Sequence, residues 1–309
     1  MRKTIVSTVF VATMGLAAAS VCNAAGVLPA DDDEELVPTG KGWGQRVPPG
    51  QEKQPPSNAK PQGNNGIVYH GGPVILGTTN AYYIWYGNWS GNSATTILPD
   101  FAQSIGGSPY FNINTTYYNG SNVHVSNSVH YGGSTTDSGS NALSDAGIQN
   151  VVANAISSGR LPKDTNAVYF VLTSAEVNET SGFCTQYCGW HTHGTIAGSD
   201  IKYSFVGNPD RCPSACAAQP TGPNGNAGAD GMASIIAHEL EEAVTDPDLN
   251  AWYDRRGYEN ADKCAWTFGT TYPAGGGNGA VANMQLGTRN YLIQQNWVNA
   301  GGGYCAKGY

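Results

Sequence analysis

Apolar residues in this chain fall into short blocks separated by long polar, glycine-rich stretches. Residues 67–69 and 81–85 are dense in Val, Ile and aromatic side chains and are parted by Gly72-Pro73, which predicts two strands. Residues 97–105 predict a helix. A longer helix is expected over 141–158, where Leu143, Ile148, Val151, Val152, Ala155 and Ile156 recur at helical spacing until Gly159 stops the run. The uninterrupted block AVYFVL (167–172) reads as a buried strand, and 201–206 as a further one. Between them, residues 108–139 are rich in Asn, Ser, Thr, Gly and Tyr, and their alternation over 117–131 predicts short, wet β-hairpins rather than a core element. Strands and helices interleaved in this way predict one α+β domain with a mixed sheet over residues 66–309.

The clearest helix is 230–245, with Asp230 as its expected N-cap and its end before Pro247. At about 100° per residue, Met232, Ile236, Leu240, Ala243 and Val244 form one apolar stripe. His238, Glu242 and Asp246 share the adjoining face. The segment His-Glu-Leu-Glu-Glu (238–242) resembles the zincin helix His-Glu-x-x-His, in which the two spaced residues bind zinc and the first Glu activates water. Glu242 stands in place of the second His, which lowers the net charge at the ion and makes a bound water less acidic. The reading therefore takes His238 and Glu242 as Zn2+ ligands, Glu259 in GYENADKC as the third, and Glu239 as general base. Asp262 is a supporting acceptor or an alternative ligand, and Asp246 competes from the helix itself. The plainer alternative is a helix histidine bonded to a neighbouring carboxylate.

Composition narrows the function. Only 12% of residues are charged and the formal charge is −8, which disfavours nucleic acid and anionic membrane surfaces as partners. Residues 1–24 have a basic start (Arg2, Lys3), a short apolar run and small residues near Ala24, the pattern of a secretory signal peptide rather than a membrane span. A lipid anchor at Cys22 is the competing reading, and Val21 disfavours it. Residues 25–65, rich in Asp, Glu, Pro, Gly and Lys, read as a disordered spacer or propeptide. The six remaining cysteines are then expected in three disulfides, Cys184 with Cys188, Cys212 with Cys216, and Cys264 with Cys305, although spacing alone leaves other pairings open. Downstream of Cys188, His191 and His193 alternate on a strand and face one side, where one of them could ligate metal or stabilise an oxyanion.

Several blocks resemble the phosphate-induced protein (Exordium) family: YHGGPVI, YYIWYGNW, FCTQYCGWH, FVGNPDRCPSAC, DGMASIIAHELEEAVTDPDLNAWY, ENADKC and YLIQQNW, in this order. The resemblance covers nearly all of residues 66–309 and implies a zincin-like fold with a central metal-site helix and disulfide-stapled loops. It places His-Glu-x-x-Glu at His238, Glu239 and Glu242, and Glu-x-x-Asp-x-Cys at Glu259, Asp262 and Cys264. The leader and short spacer look bacterial. Two functions are expected: a secreted zinc metallopeptidase-like hydrolase acting on an extracellular peptide, or a non-catalytic extracellular or cell-wall-associated protein of the same fold.

Overall fold

The apolar block AVYFVL becomes the middle strand of a five-stranded sheet in the computed structural model, which describes residues 36–41 and 66–309. The strands are β1 (Thr79–Tyr86), β2 (Val129–Asp137), β3 (Ala167–Thr173), β4 (Gly189–Ile196) and β5 (Ser199–Val206). Their order is β2-β1-β3-β5-β4, with the first four parallel and β4 antiparallel at the edge. Every residue of β3 is buried, so its two faces need no polar alternation. A two-residue turn, Ala197 and Gly198, both at positive φ, joins β4 to β5 and fixes the register of that hairpin.

The Asn- and Tyr-rich tract does turn back on itself in a short hairpin, Tyr118 bridging His124 antiparallel, but strand β2 corrects the expectation for its later residues. Its residues alternate between exposed and half-buried, as on an edge strand with one wet face, and it pairs in parallel with β1. The pairing slips by one residue at Gly132, where a Cβ would meet the Tyr82 ring at 2.3 Å. Ahead of it, Phe111–Thr116 forms a 3-10 turn whose Phe111 and Ile113 are buried.

Three helices cover the sheet: α1 (Ala94–Ile105), α2 (Asp145–Ser157) and α3 (Ala227–Thr245). Helix α1 packs on α3 and on β2, α2 on β1, β3 and β5, and α3 on β4 and β5. Asn226, not Asp230, caps α3, its side chain accepting from Ala229 N at 3.0 Å. Asp230 lies in the first turn and accepts from Asn224. Helix α3 is also buried beyond its apolar stripe, including His238, Glu239, Glu241 and Glu242. An amphipathic surface helix would not enclose four ionisable groups.

The cysteine pairing differs from the local staples expected from spacing. Cys184 bonds Cys212 and Cys188 bonds Cys216, each over a separation of 28 residues, while Cys264 bonds Cys305 as expected. Residues four apart on one turn project their side chains in the same direction, so each finds its partner on a facing turn. The two bridges tie the loop after residue 182 to the turn Pro213–Cys216. Replacing Cys264 and Cys305 by Ala is expected to cost about 4 kcal/mol, the chain-entropy value for a loop of some 40 residues. An unchanged denaturant midpoint would contradict this.

The proposed leader and most of the proposed spacer lie outside the described residues. Residues 36–41, within that spacer, hydrogen-bond to the fold: Leu36 N donates to Arg255 O (3.1 Å) and His191 N to Gly40 O (3.0 Å). Lys41 Nζ reaches Asp145 Oδ2 at 2.5 Å and Ser181 Oγ at 2.8 Å. Among the described residues, no helix is long and apolar enough to cross a membrane.

Candidate metal centre

Three stretches far apart in sequence supply the polar groups that meet beside α3. The helix brings His238, Glu239 and Glu242 to successive positions of its buried surface, and the edge strand β4 brings His191. The chain leaving α3 first pairs as Trp252–Tyr253 with Val68–Tyr69, then turns back to present Glu259 and Asp262. That return is stitched to the helix. Asn260 Nδ2 donates to Glu241 O (3.1 Å), Asp262 N to Glu242 Oε1 (3.1 Å), and Glu259 N to Asp262 Oδ2 (3.3 Å). The Cys264–Cys305 bridge closes the turn Asp262–Cys264 from behind.

The side chains form two overlapping triads that share Glu242. His238, Glu242 and Asp262 make one, and His191, Glu242 and Glu259 the other, each with one ligand atom per residue mutually within 4.8 Å. His238 Nε2 lies 2.9 Å from Glu242 Oε1 and 3.4 Å from Asp262 Oδ1. Neither contact has the alignment of a hydrogen bond, and His238 Nε2 and Asp262 Oδ1 are both buried without a hydrogen-bond partner. In the second triad, His191 Nε2 is 3.2 Å from each oxygen of Glu259 and 3.6 Å from Glu242 Oε2. The structure thus gathers His238, Glu242, Glu259, Asp262 and His191 into one buried region. It pairs Glu259 with His191, and Asp262 takes the place beside His238.

Burial and mutual repulsion set the protonation of this region. Burial raises Glu242 to about 7, with Asp262 adding to the rise and His238 opposing it. Burial, then Glu242, Asp246 and Asp262, hold Glu259 well above the usual carboxylate range. For His238, burial works toward the neutral form, but Glu242, Asp262 and Glu239 outweigh it and raise the imidazole well above its ordinary value. His191 goes the other way, lowered to about 3 by burial and by the neighbouring His238 and His193. The ion pairs of Glu242, Glu259 and Asp262 all run to these two imidazoles. The protonated forms of Glu242 and Glu259 relieve the repulsion; fully ionised, the three carboxylates would need a cation besides the two imidazoles.

Other residues find separate roles. Glu239 is wholly buried against the start of β4, where the lack of a side chain at Gly189 leaves room: a Cβ there would stand 3.1 Å from Glu239 Oε1. Asp246 ends α3, its Oδ1 accepting from Asn250 N and Ala251 N, each at 2.6 Å. Glu241 turns to another neighbourhood and accepts from Asn296 Nδ2. His193, two residues along β4 from His191, is half-exposed and meets Asp200 at 2.8 Å. Gln294 had no signal in the sequence beyond its place in YLIQQNW. Its Nε2 stands 2.8 Å from His238 Nδ1 and 3.2 Å from Ala261 O, which turns His238 Nε2 toward the carboxylates. A side-chain amide can donate to that nitrogen or, turned over, accept from it, so Gln294 can orient either tautomer. Beyond His238 lies a narrow cavity of about 30 Å³, lined by Ser234, Ile235, Trp266, Phe268, Leu292 and Gln294.

Fold and site together define an α+β protein whose mixed sheet and buried helix enclose a histidine–carboxylate centre. The phosphate-induced protein 1 conserved region matches residues 67–297, and the chain belongs to that family. Among curated relatives, EXORDIUM-like 3 of Arabidopsis thaliana is 32% identical, over 78% of this chain and 84% of its own. EXORDIUM-like 5 of the same plant is also 32% identical, over 78% of each chain. PHOSPHATE-INDUCED 1 of Nicotiana tabacum is 28% identical, over 62% of this chain and 68% of its own. These relatives are plant proteins and lend no support to a bacterial origin. No solved structure matches the chain.

Proposed function

We propose that the protein is an exported, zincin-like metal-dependent hydrolase of peptide-like substrates, with zinc held by His238, Glu242 and the acids of the returning segment, Asp262 and Glu259. The observation that carries this reading is the meeting of three buried carboxylates with two imidazoles, where His238 Nε2 and Asp262 Oδ1 face the same space without partners. Imidazole and carboxylate donors at this density suit zinc, which when bound would supply Lewis-acid polarisation of a scissile carbonyl. Glu239, one residue from His238 and outside both triads, would take the proton from attacking water and pass it to the leaving amine. The narrow cavity next to His238 has room for the attacking water. Three disulfides fit an oxidising, extracellular destination.

A second reading, a non-catalytic extracellular or cell-wall-associated protein with a structural ion, rests on one observation. The side chains of His238 and Glu242 are each only 1% exposed, as ligands of a closed structural site are. The two readings part in a single assay. The purified chain should cleave peptides, lose cleavage on chelation and recover it with zinc. Zinc uptake without cleavage would favour the structural ion, and failure to take up zinc would overturn the metal-centre reading itself.

A further inference from the structure

The two triads are not two descriptions of one site. The geometry points to a dinuclear centre, in which one divalent cation sits on His238, Glu242 and Asp262, a second sits on His191, Glu242 and Glu259, and Glu242 bridges them. The inference rests on the metal-centre reading above and adds a second ion to it. None of the three groups that close within 4.8 Å among the described residues contains both His191 and His238. Two ligands on one zinc ion, each about 2.1 Å from it, can be no more than about 4.2 Å apart. The two triads thus draw on different imidazoles and on different oxygens of Glu242.

Each triad taken alone already has ligand spacing. Neighbouring donors on a tetrahedral ion at that radius lie about 3.4 Å apart. The spacings are 2.9 and 3.4 Å around His238, and 3.2 and 3.6 Å around His191. His191 Nε2 hydrogen-bonds Glu259 at 3.2 Å from each oxygen, while its 3.6 Å separation from Glu242 Oε2 is too long for a hydrogen bond. Glu242 turns Oε1 to His238 and Oε2 to His191, as a carboxylate does between two ions about 3.5–4 Å apart. Two buried atoms without partners, His238 Nε2 and Asp262 Oδ1, face the first position. Mixed imidazole and carboxylate donors suit zinc and its first-row neighbours.

The test is a metal count. The full chain is stripped with chelator, dialysed against a range of zinc concentrations, and its bound zinc is read by elemental analysis alongside circular dichroism. Two zinc ions per wild-type chain are expected, falling to one in His191→Ala and to one in Asp262→Asn. A wild-type plateau at one ion would overturn the second position and leave the metal-centre reading intact, and a plateau at zero would overturn both. Two ions unaffected by His191→Ala would overturn the assignment of the second position. If a variant fails to fold, the wild-type count still decides, and cobalt(II) loading gives an independent check. Magnetic coupling between two cobalt ions is expected through Glu242, and the uncoupled signal of a single ion would contradict it.

Discussion

Glu239→Gln is expected to lower peptide hydrolysis by about 10²- to 10⁴-fold, the usual contribution of a general base, while zinc content and thermal unfolding stay at wild-type values. The expectation follows from where Glu239 lies. It belongs to neither triad, so its loss removes no ligand from either ion. It packs against Gly189 at the start of β4, so an amide of the same shape keeps the contact. His238→Ala should give a different pattern, with hydrolysis and part of the zinc lost together. The two variants, assayed with metal analysis on the same samples, separate a proton-transfer role from a ligand role. Wild-type turnover in Glu239→Gln would remove Glu239 from the reaction.

The second large effect is on stability, and it comes from Asp246. This helix-ending carboxyl is fully buried; burial raises it to about 7 despite the backbone amides of Ala251 and Asn250, which favour its charged form. A carboxyl whose folded-state value lies above its unfolded one holds its proton more tightly in the folded chain. Its contribution to stability is complete below about pH 4 and is lost as pH rises through about 7, at up to about 1.4 kcal/mol per unit. The full loss is of order 4 kcal/mol. Asp246→Asn keeps the Oδ1 acceptor and replaces Oδ2, which has no hydrogen-bond partner, by a neutral amide nitrogen. The variant should therefore resemble the wild type near pH 4 and be more stable by several kcal/mol at pH 7.5, with the gap opening between. Taking the difference between the two chains cancels the groups around it, among them His191, whose lowered value acts in the opposite sense below about pH 6.5. Urea unfolding across that range, in metal-free samples, measures it. A gap that does not widen with pH would contradict the assignment.

The parts of this architecture that announce themselves in the sequence are those decided by local pattern. An unbroken apolar run can only be a strand or helix buried on all sides, and AVYFVL is β3. Helix α3 combines an apolar stripe with His-Glu-x-x-Glu, and its end at Asp246 follows from Pro247. Strand β2 was hidden because its glycines and serines carry no apolar signal; its place is set by pairing with β1. The disulfides were misread for a related reason. Separations of four residues suggest local closure, whereas the bonds depend on which turns face each other. In the centre, the helix residues and the Glu259–Asp262 pair were legible from spacing, but which acid meets which histidine is a property of the returning chain. His191 could be flagged only as an alternative until β4 was placed at the sheet edge beside α3. Gln294 and Asn260, amides that orient the imidazole and the returning segment, leave no trace that distinguishes them from any other polar loop residue.

A crystal of the zinc-loaded protein, measured on both sides of the zinc absorption edge, addresses the metal centre most directly. Anomalous density is expected between His238 Nε2, Glu242 and Asp262, at about 2.0–2.2 Å from each donor atom. A map empty at that position, with His238 and the carboxylates bonded only to one another, would contradict the account.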